Sequence, residues 1–106
     1  KPKFVEDEMA IYILLQRLML LDPGSIQSHP DMGVGIITKW RYSYYENIDL
    51  LQSEIQTQIE KYLPQLQGVN VKIARADHHD IIISIEVNNK LYVFELHEDK
   101  LQLKQL

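Results

Sequence analysis

The segment from residue 81 to residue 96 constrains the fold most, because one hairpin register explains its whole pattern. Apolar residues alternate along both sides of Asn88-Asn89, and a period of two predicts strands. Asn tolerates positive φ, so this pair is typical of a two-residue hairpin turn. A turn there brings all the large apolar residues at alternate positions onto one face, while the other face is mixed. The apolar face comprises Ile81, Ile83, Ile85, Tyr92, Phe94 and Leu96.

Further strands are predicted on both sides of this hairpin. Val69, Val71 and Ile73 alternate with polar or small residues, and a short last strand is predicted from Leu101 to Leu106 after a turn at residues 98–100. A terminal strand at a sheet edge offers unpaired backbone groups to a partner strand. Two interpretations stay open: Lys100 and Lys104 protect this edge, or the edge recruits a foreign strand. The candidate edge residues are Leu101, Gln102, Leu103 and Lys104.

Two helices precede the strands. The first is predicted from near Val5 to Leu21, because Pro23 disfavours helical geometry at the residue before it. The second is predicted from Ile48 to Leu63 and is ended by Pro64. Its apolar residues recur at steps of three and four, and its polar residues indicate a solvated side. This polar side comprises Gln52, Glu54, Gln56, Gln58, Glu60 and Lys61.

The first helix is apolar almost all round. The predicted core face comprises Ile11, Leu14, Leu15, Leu18 and Leu21. The opposite side carries Met9, Ile13 and Leu20, so the helix must be covered on more than one side. Either the loop from Ser25 to Tyr45 folds over these residues, or a partner helix covers them.

Together these elements predict an α+β fold with a single domain over residues 1–106. Two helices pack on an antiparallel meander of three to four strands, and a long irregular loop joins the helices. Loops of this length in compact domains are usually functional or disordered. The loop is rich in aromatic residues, which argues against disorder. It is interpreted as packed on the domain or as carrying interface anchors, the residues being Trp40, Tyr42, Tyr44 and Tyr45.

Composition excludes several functional classes. The chain has 106 residues, 45% of them hydrophobic, no cysteine and a formal charge of −4. The acidic balance argues against a nucleic-acid partner, and the apolar run from Met9 to Leu21 is too short to cross a bilayer. No signal peptide is recognised at the N-terminus. We therefore expect a soluble, cytoplasmic protein without membrane or nucleic-acid partners.

Motifs that suggest chemistry are weak. Gly33-Val34-Gly35 lacks the third glycine of a nucleotide fingerprint and does not follow a strand, so it indicates a tight backbone turn. Residues 77–80 (Asp-His-His-Asp) resemble a metal cluster, but adjacent strand residues point to opposite faces, and a solvated turn is favoured. His29 and His97 have no sequence-local partner and are read as surface or interface histidines. No catalytic, cofactor-binding or metal-ligating residue is assigned, and we expect no enzyme activity and no cofactor.

The order of these parts resembles one family. The chain resembles the small baseplate wedge and sheath-initiator family of contractile phage tails and related injection systems. The likeness rests on residues 20–24 (Leu-Leu-Asp-Pro-Gly), residues 30–36 (Pro-Asp-Met-Gly-Val-Gly-Ile), a second helix that ends at a proline, and a β-meander. The likeness extends from about Val5 to His97. Its structural motif comprises Pro23, Gly24, Pro30, Gly33 and Gly35.

The resemblance implies a structural role in the virion. Such a protein is assembled in the host cytoplasm, lies in the tail baseplate, links the wedge to the sheath and initiates sheath polymerisation by strand addition. Its implied partners are other wedge proteins and the tail sheath protein, with tail tube or hub proteins as further candidates. The family often has Glu-Pro-Arg after the second helix, where this chain has Leu63-Pro64-Gln65. With Met9, Ile13 and Leu20, these residues form the expected wedge interface.

Two other functions compete with this one. Anti-adaptor proteins of bacterial stress responses have a similar fold and act as regulatory binding modules. A small hydrolase is the third candidate, although the sequence offers no recognisable acid and nucleophile pair.

Overall fold

The structure of the chain, a computed structural model, describes residues 2–104, with side chains described from Asp7 onward. It is an α+β fold. The elements follow one another as α1 (Pro2–Leu20), α2 (Ile48–Tyr62), β1 (Asn70–Arg75), β2 (Ile81–Val87), β3 (Lys90–His97) and β4 (Lys100–Leu103). Helix α1 begins three residues before its predicted start, since proline suits the first turn of a helix.

The four strands form one antiparallel sheet in the order β1-β2-β3-β4. The predicted register of the central hairpin is confirmed: Ile85 lies opposite Tyr92, and Ile83 lies opposite Phe94. Asn88 and Asn89 have φ values of 52° and 63°, as their turn requires. Glu98 and Asp99 repeat this geometry before β4, with φ values of 50° and 64°. The strand starts one residue before its predicted start and ends at Leu103, so Lys104 lies just after it. The predicted residues Gln105 and Leu106 lie outside the described residues.

Both helices lie on the apolar face of the sheet. Helix α2 packs on β1, and α1 packs near β4 at the other edge. The core between the layers contains the alternate residues of β2 and β3 and the buried stripe of α2. Its largest fully buried side chains include Phe94, Tyr92, Leu15, Met19, Leu51, Ile55 and Ile59.

The predicted core face of α1 is partly wrong. Leu15 and Leu18 are buried, but Leu14 is 37% exposed, and Met19, outside the predicted stripe, is 1% exposed. The reason is aromatic packing against the sheet: the Tyr12 ring meets the rings of Tyr92 and Phe94 edge-on, at centroid distances of 4.8 and 5.7 Å. A helix that is apolar almost all round does not determine its own rotation by pattern alone.

The long loop does not cover the second apolar side of α1. Met9, Ile13 and Leu20 remain 48%, 38% and 38% exposed. The loop instead inserts Val34 and Ile36, both fully buried, at the C-terminal end of α1. Of the two explanations for the apolar side, cover by the loop is therefore wrong, and a partner stays the prediction.

The close backbone approach expected at Gly33-Val34-Gly35 is present, but the three residues form irregular backbone along the end of α1 and not the predicted turn. Gly33 has a φ of 116°, and a Cβ there would lie 2.3 Å from the backbone oxygen of Leu21. Backbone N–H groups of the loop bond the last turn of α1: Val34 to the Leu18 oxygen at 3.1 Å and Gly35 to the Leu21 oxygen at 2.9 Å. The glycines thus allow the loop to approach the helix end closely enough to satisfy its carbonyls.

Gln58 holds this loop to α2, which corrects its assignment to a solvated side. It is 5% exposed, its Oε1 accepts from the Gly33 N–H at 2.7 Å, and its Nε2 donates to the Asp31 oxygen at 2.8 Å. A buried amide with both ends bonded fixes the position of the loop. Sequence periodicity places Gln58 beside the apolar stripe, but the loop that buries it lies 25 residues away.

Candidate functional site

The backbone of β4 is one open edge of the sheet. The Lys104 N–H donates to the Val93 oxygen at 2.8 Å. Together with the register, this bond identifies the residues of β4 whose backbone groups bond to β3. Inward and outward bonding alternate along an antiparallel strand, so Leu101 and Leu103 direct their N–H and C=O groups away from β3. This placement agrees with the edge position predicted for the last strand.

One glutamine of α1 reaches this edge. Gln16 Nε2 donates to the Leu101 oxygen at 2.9 Å. Among the described residues, no other side chain bonds the outward groups of Leu101 and Leu103. An incoming strand would therefore have to displace one amide and would find the remaining outward groups unoccupied.

The exposed apolar residues of α1 border the same edge. Met9, Ile13, Gln16 and Leu20 follow one another at steps of four, three and four residues, so they share one side of the helix. Because Gln16 on this side donates to the Leu101 oxygen, this side of α1 is the one nearest β4. Leu103, on the helix-facing side of β4, is 38% exposed. We call the surface formed by Met9, Ile13, Leu20, Leu101 and Leu103 the α1–β4 edge.

The other sheet edge is partly capped by side chains of α2. The β1 amides of Val71 and Ile73 donate to Gln56 Oε1 at 3.3 Å and Gln52 Oε1 at 3.0 Å. Gln56 Nε2 also donates to the oxygen of Val69, at 3.1 Å. Gln52 and Gln56, expected on the solvated side of α2, thus act as substitutes for a neighbouring strand. In the sequence, this role is indicated only by the spacing of the two glutamines, which lie four residues apart along one flank of the apolar stripe.

The tripeptide Leu63-Pro64-Gln65 lies away from this surface. The Leu63 side chain is 7% exposed and lines a groove of about 250 Å³ with Leu14, Leu21 and Met32. Pro64 and Gln65 are exposed. The expected wedge residues therefore fall in two places, one beside β4 and one beside the end of α2. Leu63 packs within the chain, and the assignment of Leu63, Pro64 and Gln65 to a wedge contact stays a prediction.

A charged cluster lies at the end of β3. His97 Nδ1 lies 2.7 Å from Asp80 Oδ2, and Arg41 pairs with Asp99 at 3.1 Å. Asp80 is only 9% exposed, so this part of residues 77–80 is not solvated as expected. The hydrogen bond to Asp80 raises the pKa of His97 above 6.5, and the charges of Asp80, Glu98 and Glu95 act in the same direction, while burial opposes them. Among the described residues, no three His, Asp or Glu side chains are arranged to hold a metal ion.

The His97–Asp80 pair predicts a pH-dependent part of the stability. A histidine whose pKa is raised by folding stabilises the fold below its unfolded pKa of about 6.5, and this contribution is lost as the pH rises through the raised value. We expect urea midpoints of the wild type to fall as the pH rises from about 6 to about 8 because of this pair. His97→Gln should flatten that slope, whereas the exposed control His29→Gln should leave it. An unchanged slope in His97→Gln would contradict the assignment.

No helix within the described residues is both long and apolar enough to cross a membrane. Comparison with protein-family models finds no match, and comparison with curated proteins finds none of significant similarity.

Proposed function

We propose that this chain is a structural component of a contractile tail baseplate, which links the wedge to the sheath and initiates sheath polymerisation by accepting a strand at β4. The observation that carries the proposal is the difference between the two sheet edges. Two α2 glutamines occupy three backbone groups in and beside β1, whereas one amide occupies a single group of β4. Strand addition, the role implied by the family resemblance, needs such an open edge.

The apolar side of α1 is needed for useful affinity. Leu101 and Leu103 offer a few outward hydrogen bonds, each worth a net of about 1 kcal/mol. Micromolar binding requires about 8 kcal/mol before further entropic costs are met. An added strand would therefore also have to bury apolar surface, and its helix-facing side chains would lie beside Met9, Ile13 and Leu20. Their assignment to the wedge stays a prediction, and a strand at β4 is a second candidate for covering them.

Leu103→Pro tests the edge without removing a bond of the sheet. The Leu103 N–H points outward, and proline is tolerated on edge strands where the missing N–H faces solvent. We expect a change of less than about 1 kcal/mol in the free energy of unfolding and a loss of sheath initiation. The measurement is the fraction of sheathed particles in electron micrographs, with urea unfolding of the isolated variant.

Gln102→Pro is the matched control, because its N–H bonds inward to β3. We expect this variant to lose stability that Leu103→Pro keeps. Normal sheath assembly with Leu103→Pro would overturn the proposed function. A gene neighbourhood without tail genes would also contradict it and would favour the regulatory module of the anti-adaptor type.

A further inference from the structure

Two lysines, one in β4 and one directly after it, line the outer face of this edge. Lys100 and Lys104 flank Gln102 at alternate positions, and all three are exposed. Gln102 lies opposite Glu95, and Lys104 Nζ lies 3.7 Å from Glu95 Oε1, which places these side chains on the face away from the helices. Leu101 is buried on the other face. The strand is thus apolar on its helix-facing side and basic on its outer side.

The side chains of any strand added to this edge would point alternately to the two faces of the sheet. Its residues next to Leu101 and Leu103 would point toward the helix layer, beside the exposed apolar side of α1. Its residues next to Lys100 and Lys104 would point outward, at cross-strand distances of about 5 Å between Cβ atoms. Opposite charges at such positions stabilise a pair of strands, and like charges destabilise it.

We propose that β4 selects a partner strand in which apolar residues alternate with acidic ones. This inference rests on the proposed function, since it names the kind of strand that the same edge accepts. Lys104 already meets Glu95, but this pair is partly exposed and weak, so it leaves Lys104 able to meet a second carboxylate. Among the described residues, no acidic side chain pairs with Lys100.

The same lysines disfavour pairing of β4 with a second copy of itself. The sequence Lys100-Leu101-Gln102-Leu103-Lys104 reads the same in both directions. Antiparallel pairing centred on Gln102 would therefore place Lys100 of each copy opposite Lys104 of the other. Two like-charge pairs would oppose this dimer. Protection of the edge and recruitment of a foreign strand are thus two effects of the same side chains.

The test compares two nine-residue peptides, one alternating valine with glutamate and one alternating valine with lysine. Binding to the whole chain is measured by fluorescence anisotropy at low and high salt. We expect the glutamate peptide to bind about tenfold more tightly, because two cross-strand pairs change sign. The difference should shrink in high salt, because exposed charges are screened.

A pair of double variants supplies the specificity control. Lys100→Glu with Lys104→Glu should reverse the peptide preference. Lys61→Glu with Lys72→Glu alters the net charge equally at exposed positions away from β4 and should keep it. Equal binding of both peptides by the wild type, lost in Leu103→Pro, would overturn the acidic preference and leave strand addition standing. Binding of neither peptide would overturn both.

Discussion

Gly33→Ala is expected to destabilise the fold by at least about 3 kcal/mol, a large part of the 5–15 kcal/mol typical of a domain. The new Cβ would lie 2.3 Å from the Leu21 oxygen, and this neighbour is backbone at the end of α1 rather than a flexible side chain. The φ of 116° at Gly33 adds strain for any residue with a Cβ. The measurement is the free energy of unfolding in urea.

Gly24→Ala is the control that separates the clash from the backbone conformation. Gly24 also has a positive φ, of 84°, but a Cβ there would meet nothing within 4 Å. We expect a loss of about 1 kcal/mol at this position. Equal losses in both variants would contradict the clash, because they would show that the loop shifts away from α1 at little cost.

Gln58→Leu is expected to destabilise the fold by about 3 kcal/mol. Leucine preserves much of the side-chain volume but removes the hydrogen bonds of the amide, which leaves the Gly33 N–H and the Asp31 oxygen without their partner. A buried polar group that loses its bond costs about 1–3 kcal/mol. Urea unfolding measures the loss, and amide exchange of Gly33 should become faster.

Gln65→Leu provides the matched exposed glutamine. Its side chain is in solvent after α2, so we expect a change within about 0.5 kcal/mol. If Gln58→Leu were equally mild, the loop would be held by Val34 and Ile36 rather than by the amide. This outcome would move the origin of the loop's stability from hydrogen bonding to apolar burial.

The two loop predictions also bear on the α1–β4 edge. The glycine segment of residues 33–35 and Gln58 fix the C-terminal end of α1, and α1 carries the apolar side that borders β4. Loosening the loop should therefore weaken strand binding indirectly, through the position of α1. Leu103→Pro should remove binding while changing the free energy of unfolding by less than about 1 kcal/mol. Measuring both stability and binding of each variant therefore distinguishes the two causes.

The local sequence was sufficient for the sheet. The register that pairs Ile83 with Phe94 was predictable because a period of two and an Asn-Asn turn act over neighbouring residues. The close approach of the backbone at Gly33 was predictable for a similar reason, since glycine removes a steric limit at its own position. The expected family role and the whole expected wedge interface, Leu63-Pro64-Gln65 with Met9, Ile13 and Leu20, remain predictions.

What only the tertiary structure decided depends on residues that are far apart in the chain. Helix α1 is apolar almost all round, so its rotation was set by packing of Tyr12 on the sheet and not by its own pattern. The glutamines were assigned to solvent or left without a role, because their backbone partners lie elsewhere: Gln16 bonds Leu101 across 85 residues, and Gln52 bonds Ile73 across 21. The sequence alone determined that β4 is an edge, whereas long-range contacts determined that glutamines of α2 cap part of β1 and that a single amide bonds β4.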